Sequence, residues 1–163
     1  MNITELNAHI IEWAKERELD TKGTVEAQAI KTVEELSELI KAICKDKKED
    51  IIDSIGDIYV TLVIGNMLVR DRELDPMFAE KNVPGVRDKK SLLKVLANPI
   101  KLTLLYPYGE ETLEWILRDL HIVCKFYKLD FADCVESAYN TIKNRHGKLI
   151  DGMYVKDEDL KNE

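Results

Sequence analysis

Cysteine is scarce in this chain of 163 residues: Cys44, Cys124 and Cys134 are an odd number with neither paired nor metal-type spacing. That usage speaks against a disulfide framework and a thiolate metal site, and it suits a reducing cytoplasm, the expected location. Each cysteine is expected to fill a core or a flank, because free Cys behaves as a small buried hydrophobe. Basic excess is also missing. With a formal net charge of −7, a sequence-independent hold on nucleic-acid phosphate is not expected, and any phosphate chemistry falls to a metal or a few local cations. Residues 1–15 lack a basic segment followed by an apolar run, so no secretion signal is read there. Nor is there an uninterrupted apolar run of the roughly 20 residues that a membrane span needs. The longest nearly uncharged stretch, residues 54–69, is broken by Asp57 and Gly65 and reads as a buried helix. No internal repeat or low-complexity tract stands out.

What is present is helical patterning over almost the whole chain, and 45% hydrophobic residues are enough for one domain with a sizeable core. Ile3, Leu6, Ile10, Ile11, Trp13 and Ala14 share one side of a first helix that ends before a turn at residues 19–23. Thr24 caps a second helix, striped by Val33, Leu36, Ile40 and Ile43. After a lysine- and acid-rich reversal at 45–49, a third helix spans about 50–70, with Ile51, Ile55, Ile58, Leu62 and Val69 on its buried side. Pro76, Pro84 and Gly85 break the pattern over 71–89, which predicts a mobile loop. Helices are expected again over 91–105, kinked or split at Pro99, then over 110–127 and 131–144. The tail from His146 onward is expected to be extended or loosely packed. The fold class is therefore all-α, an antiparallel helical bundle. Because the second and third helices carry more apolar surface than one short helix can cover, a four-helix core completed by a partner subunit is expected, in a homo-oligomer.

The chemistry is carried by carboxylates. Glu34, Glu35 and Glu38 project from neighbouring positions of the second helix, while Asp50, Asp53 and Asp57 line one side of the third. If the reversal folds these helices antiparallel, the two acidic sets face each other, and like charges so placed call for a cation. Magnesium suits such a site as a hard cation that takes oxygen ligands and bridges carboxylates to phosphates. An acidic run on a helix is most often just a solvated face, but Asp57 is not of that kind. It is the one charged residue of its stretch, and it stands next to Gly56, whose missing side chain lets a second helix or a ligand approach closely.

The segment Val33-Glu34-Glu35-Leu36-Ser37-Glu38-Leu39, followed after a lysine-rich turn by Asp53-Ser54-Ile55-Gly56-Asp57, resembles the signature of the MazG-like all-α nucleoside triphosphate pyrophosphohydrolases. The likeness covers about residues 1–70 and resumes at Ala138-Tyr139-Asn140-Thr141-Ile142-Lys143-Asn144-Arg145 with Gly147-Lys148. It implies Mg²⁺-dependent hydrolysis of a nucleoside triphosphate between the α- and β-phosphates, with Mn²⁺ as a substitute ion and a homodimer or homotetramer as the assembly. By position, Glu35, Glu38 and Asp57 would be metal ligands, with Asp53 next; Glu34 would be a further ligand or would orient the attacking water. Ser54 stands where the family places a glutamate, so Asp53 or Asp50 would have to supply that ligand. Residues 71–116 exceed the family's short connection, which leaves room for a lid or altered subunit contacts.

Other candidates carry two readings each. Asn140, Lys143 and Arg145 would neutralise the triphosphate, or the two cations would simply complement the dipole of a last helical turn. Lys31 contacts phosphate or, the preferred reading, pairs with Glu35. Trp13 and Gln28 form a base pocket, or are core and surface respectively. His121 and His146 read as structural or exposed, and His9 as unpartnered. Two alternatives stay open: a narrower pyrophosphohydrolase for dUTP, dCTP or phosphoribosyl-ATP, and a non-catalytic helical dimer whose acidic face is a docking surface.

Overall fold

A computed structural model describes residues 1–70, 74–75 and 83–162, without the side chains of 161 and 162. It is predominantly helical: α1 (Ile3–Glu16), α2 (Leu19–Lys22), α3 (Val25–Cys44), α4 (Lys48–Val69), α5 (Lys89–Val95), α6 (Ala97–Leu105), α7 (Glu110–Tyr127) and α8 (Phe131–Ile142). The expected all-α class is what the chain adopts, apart from one small two-stranded hairpin, β1 (Gly147–Ile150) and β2 (Met153–Lys156), and a closing 3-10 turn at Asp159–Asn162.

Local signals set the helix starts. Asn2 caps α1 and exchanges hydrogen bonds with Glu5 in a capping box. Thr24 accepts from the Ala27 amide at the head of α3, and Asp130 accepts from the Asp133 amide at the head of α8. Helices α3 and α4 form the spine. As partners advance along α3 from Gln28 to Thr32 to Glu35, they retreat along α4 from Thr61 to Asp57, so the two run antiparallel. By length and composition α4 could cross a bilayer. Here its apolar length is enclosed by α1, α3, α7 and α8, with Ile51, Ile55, Ile58, Tyr59 and Leu62 fully buried. At Gly56 a side chain would put Cβ 2.4 Å from the Cys134 carbonyl oxygen and 2.5 Å from the Ala138 Cβ. The close approach anticipated at this glycine is thus made by helix α8.

Three expectations are revised. The split in the 91–105 segment falls at Leu96 and not at Pro99; Pro99 sits in the first turn of α6, where the helix needs no amide donor from it. The tail beyond His146 is extended, as one of its two expected states had it, but not loosely packed, because residues 147–156 form the hairpin and its turn docks on α3, the Thr24 amide donating to the Gly152 carbonyl at 3.3 Å. His9 is not without a partner, since it stacks on Tyr139 with ring centroids 5.5 Å apart. Pro76 and most of the break expected over 71–89 lie outside the described residues, while 83–88 within it are irregular.

Candidate functional site

The cleft lies where α1, α3, α4 and the hairpin meet. One wall carries Lys31 and Glu35 from α3 and Asp57 from α4; the other carries Arg145, just after α8, Lys156 from β2 and Asp159 from the closing 3-10 turn. Its recess is lined by Trp13, Leu19, Gln28, Val60, Ile64 and Tyr154.

Burial and like charge dominate the acid wall. Glu35 is only 8% exposed, and burial pushes its carboxyl above the ordinary range; Lys31 opposes this at 3.4 Å, while Glu38 and Glu34 add to it. Asp57 is pushed up to about 7, first by burial, then by the charges of Glu35 and Asp53, with Arg145 and Lys156 pulling the other way. The acids of the two helices therefore sense one another, as the antiparallel reading required. Glu38 and Asp53 are exposed and are not part of the cleft lining. Of the two residues considered in place of a glutamate at Ser54, Asp53 is the one whose charge reaches Asp57; Asp50 pairs with Lys47 at 3.5 Å. Ser54 itself is buried, on the side of α4 that faces the core.

These carboxylates are coupled but not gathered: among the described residues no group of three or more Asp, Glu, His or Cys side chains is placed to hold a metal ion. Their chemistry nonetheless fits a hard divalent cation, because every donor is an oxygen and such a cation offsets both the burial and the mutual repulsion that raise Asp57.

Lys31 takes up the ion-pair role, at 2.6 Å from Glu34 and 3.4 Å from Glu35. Burial weakens its charged form, but the pairing outweighs that and holds Lys31 above its usual value. Trp13 is 7% exposed and donates from Nε1 to the Ile142 carbonyl at 2.8 Å. Its ring meets Tyr154 edge-on and carries the Arg17 guanidinium 4.4 Å from its centroid. It is at once core and cleft lining. Gln28 is buried rather than on the surface, and its Nε2 donates to the Thr61 carbonyl at 3.2 Å. Behind it, the Thr32 hydroxyl bridges Thr61 at 2.9 Å and Tyr108 at 2.8 Å. The extended 71–116 segment thus reaches the back of the cleft through Tyr108.

Asn140 and Lys143 are exposed, bond to each other at 2.8 Å and are not part of the cleft lining; Arg145 is. His121 is buried against Phe131 and His146 is exposed. Cys44 is exposed, whereas Cys124 and Cys134 are buried and hydrogen-bond to each other.

Sequence reasoning missed Lys156, Tyr154 and Arg17. For Lys156 and Tyr154 the signal was present: Ile150-Asp151-Gly152-Met153 is an Asp-Gly pair between apolar residues, the mark of a two-residue hairpin, and both turn residues have positive φ, 50° and 80°. The Arg145 carbonyl then becomes a hub that accepts from Arg17 at 2.8 and 3.2 Å and from the Tyr154 hydroxyl at 3.3 Å. The Arg145 backbone is thereby held beside the cleft that its residue lines.

No family model matches the chain. It is 40% identical over 63 residues to an uncharacterized 18.2 kDa protein from the rep-hol intergenic region of Haemophilus phage HP1 (strain HP1c1), a stretch that covers 39% of this chain and 39% of that protein. No solved structure matches the chain.

Proposed function

We propose that this chain is a MazG-like, Mg²⁺-dependent nucleoside triphosphate pyrophosphohydrolase, acting as a cytoplasmic homo-oligomer on free nucleotides to release a monophosphate and pyrophosphate. One observation carries the reading. A single cleft sets mutually repelling acids, Glu35 and Asp57, against the cations Arg145 and Lys156, beside an apolar recess with the indole of Trp13. That combination matches a ligand with a polyanionic arm and a flat base.

In this reading Glu35, Glu38, Asp53 and Asp57 would hold the magnesium ion, which when bound supplies Lewis-acid polarisation of the phosphoryl oxygens. Glu34, held by Lys31 at the edge of the cleft, orients the attacking water and accepts its proton. Arg145 offsets charge that grows on the phosphate oxygens. Trp13 and Gln28 line the recess for the base, with Gln28 anchored on Thr61.

The test is pyrophosphate release from a panel of ribo- and deoxynucleoside triphosphates, dUTP and dCTP included, with and without Mg²⁺. Mg²⁺-dependent release that falls by roughly a hundredfold or more in Glu38→Gln and in Asp57→Asn, both still folded, is the expected result. That no acidic group is preassembled among the described residues favours a second reading, a non-catalytic module that docks a partner on its acidic face. Absence of hydrolysis across the whole panel, with the wild-type protein folded, would leave that reading in place of the first.

A further inference from the structure

We infer that the β1–β2 hairpin is a fitted wall of the cleft and that Lys156, on its second strand, is a phosphate-binding residue for a polyphosphate ligand, acting with Arg145 opposite the acids of α3 and α4. The nucleotide identity of that ligand rests on the proposed function; the polyphosphate contact does not.

The hairpin is seated rather than appended. At Gly152 φ is +80°, and an added Cβ would lie 2.6 Å from the Thr24 side chain, so glycine is required both by the turn and by the approach to the start of α3. The adjacent backbone bond from Thr24 joins the turn to the helix that carries Gln28, Lys31 and Glu35. At the other end, the Asp157 amide donates to the His146 carbonyl at 3.1 Å, which closes the hairpin beside Arg145. Between these anchors Tyr154 packs on Trp13.

Strand register then places the cation. Lys156 pairs across the ladder with Gly147, which has no side chain to compete with it. Lys156 lines the cleft and its charge is felt at Asp57. Among the described residues neither Lys156 nor Arg145 closes an ion pair, although both are half-buried. Asp159 shares the cleft lining with them, yet two half-buried cations that close no ion pair among the described residues, facing acids that call for a metal, leave room for a multiply charged anion between them. Arginine offers a planar fork and lysine a mobile point charge, a usual pair of tools for gripping adjacent phosphates.

The experiment is calorimetric titration, with Mg²⁺ and at fixed salt, of non-hydrolysable α,β-imido deoxynucleoside triphosphates and of inorganic tripolyphosphate. The proteins are wild type, Lys156→Ala, Lys156→Arg and Gly152→Ala, each checked for cooperative unfolding. Loss of one charge-assisted contact should weaken both kinds of probe by roughly tenfold to a hundredfold in Lys156→Ala. Lys156→Arg should recover most of that, which a merely structural role would not require. Gly152→Ala should also weaken binding, with Lys156 intact but displaced. Affinities in Lys156→Ala within twofold of wild type would overturn the inference, as would wild-type affinity in Gly152→Ala for the fitted wall. If wild type binds tripolyphosphate through Lys156 but no nucleotide analogue, the proposed function fails and the phosphate site stands. If it binds neither, both fail.

Discussion

Asp119 is the residue whose replacement should stabilise the protein, and it lies outside the cleft. It sits on α7 at 1% exposure, and neither carboxylate oxygen has a hydrogen-bond partner among the described residues. Burial pushes its carboxyl up to about 7, against a smaller opposing pull from Arg118. Because the folded state binds this proton more tightly than the unfolded chain, the stability linked to it is complete below about pH 4 and is lost as pH rises through about 7. At about 1.4 kcal/mol per tenfold change in the protonation equilibrium, moving the group from its ordinary value near 4 to about 7 costs the folded state on the order of 4 kcal/mol at pH 8. Asp119→Asn removes that titration while keeping size and polarity. Urea unfolding of both proteins from pH 4 to pH 8 isolates the effect, since every other titrating group cancels in the difference. The variant should gain on wild type as pH rises, by roughly 2–4 kcal/mol across the range. A difference that stays flat with pH would show that Asp119 has an ionised partner in the folded protein and would refute the reasoning.

Two further substitutions probe the spine of the fold. Gly56→Ala would place Cβ 2.4 Å from the Cys134 carbonyl oxygen, so α4 and α8 must separate; a loss of about 1–3 kcal/mol in urea unfolding is expected. Thr32→Val keeps the shape but leaves the Tyr108 and Thr61 hydroxyls short of a partner; unfolding should become easier by about 1–3 kcal/mol.

The helices were legible because caps and apolar stripes are local. Thr24 reads as a cap in the sequence, and Asn2 with Glu5 and Asp130, which that reading passes over, mark starts by the same kind of hydrogen bond reaching only three residues, while the apolar stripe of α4 follows directly from its period. The facing of Glu35 and Asp57 was legible as well, because a three-residue turn between α3 and α4 leaves the two helices little choice but to run back along each other. The second wall was not. Lys156 lies about a hundred residues along the chain from Asp57, and only the docking of the hairpin on Thr24 brings it near. The Asp-Gly turn predicts a hairpin but says nothing of what it packs against. Gln28 was weighed as a surface residue for a related reason. Its burial is created by Thr61 on another helix, a partner that no pattern within α3 names. Asn140 and Lys143 show the converse, since their spacing on the chain resembles a phosphate grip while the end of α8 turns them toward each other.

The hydroxyl of Tyr108 enters from the long 71–116 segment and ends against Thr32, one helical turn from Glu35. Trimming that segment would therefore open a ring-sized hole behind the acids, and the two central helices would settle into it. The segment that exceeds the family's short connection is thus part of the core, since the buried ring of Tyr108 occupies the space that a side chain at Gly65 of α4 would need.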